Sequence, residues 1–106
     1  MKYAYVCRKY SGDVDTNTEA AIAIARRINA IPGWMAIVPH NMSRGLEDTK
    51  AYDEWMELCL HVMRPCDVVV IDGEHSRSTG CMIERNDSQC PPVYGIKSFE
   101  RTFGKT

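Results

Sequence analysis

Hydrophobic positions along this chain alternate between short dense runs and longer stretches in which they are spaced three and four residues apart. Runs rich in β-branched and aromatic residues at 2–7, 34–38, 67–71 and 93–96 each predict a strand. The stretches between these runs carry the wider spacing, which predicts helices. A strand and a helix that alternate in this way favour a parallel sheet, because parallel strands need long crossover connections.

Three helices are predicted between these strands. Residues 16–19 have the spacing of a capping box and open the first helix, which the Pro-Gly pair at 32–33 ends. The acidic pair at 47–48 predicts the start of the second helix. Its apolar face carries Ala51, Trp55, Leu58 and Val62. Ser78 is suited to cap a third helix over residues 79–87.

Composition limits the chain to one domain and excludes several functional classes. With 106 residues, of which 44% are hydrophobic, the expected unit is a single domain over residues 1–106. A formal net charge of -1 gives no basic field, so no nucleic-acid partner is expected. No apolar run approaches the roughly 20 residues that span a bilayer, and the chain opens on a strand pattern rather than a signal peptide. These features predict a cytoplasmic protein with no membrane partner.

Cysteine and histidine spacing predicts neither a disulfide framework nor a metal site. The five cysteines include no Cys-x-x-Cys pair and are expected to be reduced. The histidines, His40, His61 and His75, are dispersed along the chain. We therefore predict no metal site; no organic cofactor is expected either.

Polar residues follow the predicted strands at the ends that meet on one rim of a parallel sheet. They are Arg8, Lys9, Tyr10 and Asp13 after the first strand, His40 and Asn41 after the second, and residues 72–78 after the third, beginning with Asp72. Loops are polar in any protein, so each residue alone is as well explained by solvent exposure. Taken together, they predict a small-molecule site on this rim.

The start of the third helix is the strongest candidate within that rim. Besides capping the helix, Ser78 could bind a phosphate together with the free amides of Thr79 and Gly80. Glycine disfavours a helix, and Gly80 lies four residues before Glu84 on the same helix face. A missing side chain there predicts an opening above the Glu84 carboxylate, wide enough for a sugar.

Two motifs resemble the nucleoside 2-deoxyribosyltransferase-like superfamily, which includes the 2'-deoxynucleoside 5'-monophosphate N-hydrolases and small bacterial and phage domains. Tyr5-Val-Cys7 followed by Gly12 is similar to its first-strand motif, and Ser78-x-Gly80-x-x-x-Glu84 is similar to its signature. The resemblance implies a Rossmann-like or flavodoxin-like three-layer domain with a parallel sheet of four to five strands, usually assembled as a homo-oligomer.

The resemblance also implies roles for individual residues. Glu84 would attack the anomeric carbon of a nucleotide, and Tyr5 would orient it. Ser78 would contact a 5'-phosphate, where the nucleoside transferases carry an Asp. Arg8 and Lys9 would add positive charge for that phosphate.

One position departs from the superfamily. Its enzymes carry an Asp eight residues before the Asp that opens the third strand, and here that position is Cys59. The proton for the leaving base then comes from another residue, namely Asp53, Asp72, Glu74 or His75. Alternatively, the protein binds nucleotides without cleaving them. A third possibility is an interaction protein whose pocket is closed.

Overall fold

A computed structural model describes residues 1–8, 14–72 and 78–104 of the chain. Within them a four-stranded sheet has the order β2-β1-β3-β4, and every neighbouring pair is parallel. Its strands are β1 (Lys2–Cys7), β2 (Trp34–Ile37), β3 (Val68–Ile71) and β4 (Val93–Gly95). The predicted parallel α/β fold is confirmed, and the strand order reverses between β1 and β3.

Helices cover both faces of the sheet and complete three layers. They are α1 (Val14–Asn29), α2 (Tyr52–Met63), α3 (Thr79–Arg85) and α4 (Ile96–Phe103), with a short 3-10 turn at Pro39–Asn41. Residues of α1 and α4 share one core with the sheet, whereas residues of α2 and α3 form a second core on the opposite face. Among the described helices, none has the length and apolar character needed to cross a bilayer.

Strand β1 supplies side chains to both cores, because successive side chains of a strand point to opposite faces. Ala4 and Val6 belong to the α1 and α4 core, whereas Tyr5 and Cys7 belong to the α2 and α3 core. All four are fully buried. This alternation places the phenol of Tyr5 on the face of the sheet that α3 covers.

The starts of α1 and α2 correct two predictions. Helix α1 begins at Val14, so residues 16–19 lie inside it and the predicted capping box is wrong. Helix α2 begins at Tyr52, five residues after Glu47, so the predicted start at 47–48 is also wrong. The carboxylate of Glu54 accepts a hydrogen bond from the Ala51 amide at 3.2 Å, and it thereby satisfies a free amide at the true start of α2.

Three further details differ from the predicted helices. Leu58, predicted on the apolar face of α2, is 38% exposed, whereas Met63 at the end of that helix is fully buried. Helix α3 ends at Arg85, before the predicted end at 87, and Asp87 beyond it pairs with Arg64 at 2.8 Å. The amphipathic helix α4, for which the sequence pattern gave no assignment, buries Phe99 against Trp34 at a ring separation of 4.9 Å.

Candidate functional site

A cavity of about 340 Å³ opens at the carboxyl edge of the sheet, bordered by residues that follow β1 and β2 and by helices α2 and α3. Open α/β sheets bind ligands at this edge, because the loops that follow the parallel strands converge there. Seven of the predicted site residues lie in its wall: Tyr5, Arg8, His40, Ser78, Thr79, Gly80 and Glu84. The fold thus brings together residues that are up to 79 positions apart in the chain.

Glu84 is the buried carboxylate of this cavity. It lies in the last turn of α3 and is 6% exposed. Oε2 accepts a hydrogen bond from the Tyr5 hydroxyl, and Oε1 accepts one from the Cys7 thiol at 3.5 Å. Burial raises the pKa of Glu84 above its ordinary value, and the two hydrogen bonds oppose that rise without cancelling it.

Tyr5 holds this carboxylate from the strand side. Burial, followed by the nearby charge of Glu84, raises the pKa of Tyr5 well above its ordinary value. The phenol therefore keeps its proton and acts as a permanent donor to Glu84. A carboxylate fixed in this way has one defined orientation toward the cavity.

Arg8 brings a positive charge to the same wall. Its side chain is 7% exposed; Nε donates to Asp72 Oδ2 at 3.1 Å, and Nη1 donates to Asn17 Oδ1 at 3.3 Å. A guanidinium carries five donor hydrogens, so these two contacts fix its plane and leave donors for a ligand. Asp72 is not part of the cavity wall and contacts Arg8 instead. Lys9 and Gly12 lie outside the described residues, as do Tyr10, Asp13, Glu74 and His75.

The start of α3 forms the floor of the cavity. Ser78 is the helix cap, as predicted, and its hydroxyl accepts a hydrogen bond from the Cys81 amide at 3.3 Å. Thr79 and Gly80 follow it in the first turn and line the cavity. His40 lines the cavity from the 3-10 turn after β2 and is 3% exposed.

Helix α2 supplies an apolar wall that the sequence analysis did not assign to the site. Tyr52, Trp55 and Met56 line the cavity from this helix, and Glu47 and Lys50 line it from the preceding loop. The pattern of α2 suggested core packing, and no local signal separates an aromatic residue in a core from one in a cavity wall. Only the approach of α2 to α3 reveals the second role.

Cys59, the position where the motif resemblance predicts an Asp in an enzyme, also lies in this wall. Burial and the nearby Glu84 raise the pKa of Cys59 to about 11, so the thiol is neutral at pH 7. Asp53, one of the alternatives for the proton role, lies in the first turn of α2 and is not part of the wall. Glu47 is the second carboxyl group that the described part of the wall contains.

Gly80 of α3 lies against two side chains of α2, and its replacement by alanine tests that contact. A Cβ atom there would lie 3.3 Å from Tyr52 Oη and 3.6 Å from Met56 Sδ. Alanine favours a helix by roughly 0.8–1 kcal/mol over glycine, and the ends of two flexible side chains can move slightly. We expect Gly80→Ala to raise the free energy of unfolding by about 0.5 kcal/mol in urea denaturation.

Removal of the Tyr52 hydroxyl provides the control for this contact. In a Tyr52→Phe background the 3.3 Å approach no longer exists. Gly80→Ala should then gain the full helix preference of alanine. A loss of stability for Gly80→Ala in both backgrounds would contradict the described packing of α3 against α2.

The fold and this site define a three-layer α/β protein with a buried carboxylate in a small-molecule-sized cavity at the carboxyl edge of its sheet. A family model described as a domain of unknown function, DUF7768, matches residues 2–93. The chain therefore belongs to the DUF7768 family. Neither the curated proteins nor the solved structures give a significant match.

Proposed function

We propose that this protein cleaves or transfers the N-glycosidic bond of a nucleotide or a nucleotide-like metabolite, with Glu84 as the nucleophile. The observation that carries the proposal is the Glu84 carboxylate itself, which is 6% exposed, lies in a cavity wall and is held by the Tyr5 hydroxyl. A buried carboxylate with a raised pKa in a concave site is more typical of chemistry than of a surface role. The motif resemblance to the nucleoside 2-deoxyribosyltransferase-like superfamily points to the same residue.

In this proposal Glu84 attacks C1' of the sugar as the bond to the base breaks. The transition state resembles an oxocarbenium ion, and the product is an ester between the sugar and Glu84. Water or a second base then attacks C1' and releases the carboxylate. Tyr5 keeps its proton throughout and acts as a positioning residue for the nucleophile.

A 5'-phosphate is the group that Arg8 would bind. The planar guanidinium matches the oxygens of a phosphate, and its plane is already fixed by Asp72 and Asn17. The Ser78 hydroxyl and the amides of Thr79 and Gly80 would add uncharged donors on the floor of the cavity. The apolar wall at Tyr52, Trp55 and Met56 then suits the flat face of a base.

Glu47 is the group that we propose for proton transfer to the leaving base, because the Cys59 thiol is a poor acid at neutral pH. Glu47→Gln should lower the rate of base release by roughly 100-fold for an ordinary base. For a base that leaves readily without protonation, Glu47→Gln should lower the rate of release much less. Chromatography of the free base measures both rates. Equal losses for both kinds of base would argue against this role.

A specific observation favours a second candidate, a nucleotide-binding or nucleotide-sequestering protein with no turnover. The neutral thiol of Cys59 occupies the position of the superfamily's acid, and a cavity can keep its affinity when proton transfer is lost. Binding would then use Arg8, the floor of the cavity and the apolar wall in the same way. Base release separates the two candidates.

The decisive experiment is a panel of nucleosides, 5'-monophosphates and dinucleotides, measured for thermal shift and for release of free base. The enzyme proposal expects stabilisation by 5'-monophosphates above nucleosides, together with base release that depends on Glu84. Stabilisation without release at high protein concentration supports the binding protein. No shift with any compound would contradict both.

Assembly and location complete the proposal. We propose a homo-oligomer in the cytoplasm, because small domains of the resembling superfamily commonly complete their pockets with a neighbouring copy. Tyr52, at the rim of the cavity, is 59% exposed in the single chain. Sedimentation of the purified protein tests the assembly, and a strictly monomeric species would contradict it.

A further inference from the structure

Three buried side chains from two elements converge beneath the cavity. Cys7 ends β1, and Cys81 and Glu84 lie three residues apart on α3. Their exposed fractions are 0%, 1% and 6%. The two sulfur atoms and a carboxylate oxygen all lie within 4.8 Å of one another, and Cys7 Sγ is 3.5 Å from Glu84 Oε1.

This separation is close to that of the ligands around a tetrahedral zinc ion. Zinc holds sulfur at about 2.3 Å and carboxylate oxygen at about 2.0–2.2 Å, so neighbouring ligand atoms are roughly 3.5–3.8 Å apart. The Cys7 and Glu84 atoms already have this separation. The widest pair would have to close by about 1 Å at most, whereas a disulfide bond needs the sulfur atoms at about 2.05 Å. The side chains therefore move less to bind a metal ion than the two cysteines would move to form a disulfide bond.

The chemistry of the three ligands selects the type of ion. Magnesium and calcium prefer oxygen ligands alone, so two sulfurs exclude them. Zinc accepts cysteine and carboxylate in the same site. Cys81 and Glu84 both line the cavity, which gives an ion a path to the cluster.

We propose that Cys7, Cys81 and Glu84 form a binding site for a zinc-class divalent ion. As the two sulfur–metal bonds form, each thiol releases its proton to solvent, and Glu84 gives up its hydrogen bond from Cys7 for a bond to the ion. The fourth position of the tetrahedron is left for a molecule from the cavity. No redox step is involved.

This site does not depend on the proposed glycosidic chemistry, but it would compete with it. The ion takes the Glu84 carboxylate that would otherwise attack C1'. Metal binding is therefore an inhibitory state of the cavity if the protein is an enzyme. It remains measurable if the protein cleaves nothing.

Cobalt(II) is the probe for this site, because its absorption reports both sulfur ligands and tetrahedral geometry. We expect the reduced full chain, titrated without oxygen, to bind one equivalent and to develop a sulfur-to-cobalt charge-transfer band with intense visible bands. Zinc should then displace cobalt, and both the charge-transfer band and the visible bands should disappear. Cys81→Ser should lose about half of the charge-transfer intensity and bind cobalt at least 10-fold more weakly, which corresponds to about 1.4 kcal/mol.

Cys66→Ser is the matched control. The Cys66 thiol donates to the Val62 carbonyl oxygen at 3.4 Å beyond the end of α2, and Cys66 is not part of the cavity wall. This variant should bind cobalt as the unmodified protein does. Absence of the charge-transfer band in the unmodified protein, or an unchanged band in a folded Cys81→Ser variant, would overturn the proposal. Because the readout is the spectrum, either result is independent of base release.

Discussion

Replacement of Glu84 by Gln is expected to lower base release from a 5'-monophosphate by about 1,000-fold or more. A carboxamide has nearly the shape of the carboxylate but cannot form the sugar ester. The variant should still bind the nucleotide, because Arg8, Ser78 and the apolar wall are unchanged. The measurement is a single-turnover assay of free base, together with a thermal shift by the same compound.

The stability of this variant supplies its internal control. The folded protein raises the Glu84 pKa above its ordinary 4.5, so protonation of Glu84 favours the folded state. The stability that protonation adds is fully present at a pH below the Glu84 pKa of the unfolded chain. It is lost as the pH rises through the Glu84 pKa of the folded protein. Glu84→Gln should therefore match the unmodified protein in melting temperature at low pH and exceed it at neutral pH. A variant that melts earlier at neutral pH would contradict the described burial of the charge.

Replacement of Tyr5 by Phe is expected to lower base release by about 100-fold, the effect of a misplaced reacting group. The Tyr5 hydroxyl also lowers the Glu84 pKa, so its removal raises that pKa further. Activity needs the ionised carboxylate, and the acid limb of the pH–rate profile should therefore move to higher pH. A rate profile measured on both proteins checks the shift and the loss together.

Tyr94→Phe is the control for this variant. Tyr94 lies on β4 and packs against Phe103 in the opposite core, at a ring separation of 5.4 Å. Tyr94→Phe should leave the rate of base release and the acid limb of the pH–rate profile unchanged. If Tyr5→Phe changed the rate with no movement of the acid limb, the hydrogen bond to Glu84 would not be the reason.

Much of the fold could be predicted from the sequence, because periodicity is a local property. The β-branched run at 67–71 and the cap at Ser78 both lie within two residues of the observed elements. The start of α2 could not be predicted in the same way. Acidic pairs occur at 47–48 and at 53–54, and a charge rule favours both equally, but only the second pair lies in the first turn of α2.

The site was only partly predictable for a related reason. Gly80 and Glu84 lie four residues apart in one short helix that Ser78 caps, so local spacing alone predicted that the two share a face. Tyr52 and the cluster of Cys7 with Cys81 bring together residues that are distant in the chain, and no spacing rule connects them. The cysteine spacing predicted no metal site, because two strands and two helices separate Cys7 from Cys81, the two cysteines of the proposed site.

The most direct test of the central proposal is intact-mass analysis of the protein after acid quenching during turnover of a 5'-monophosphate. The account predicts a transient adduct with the mass of the sugar phosphate, carried by the peptide that contains Glu84 and absent from Glu84→Gln. Base release with an unmodified protein mass, at an equal rate in Glu84→Gln, would contradict it.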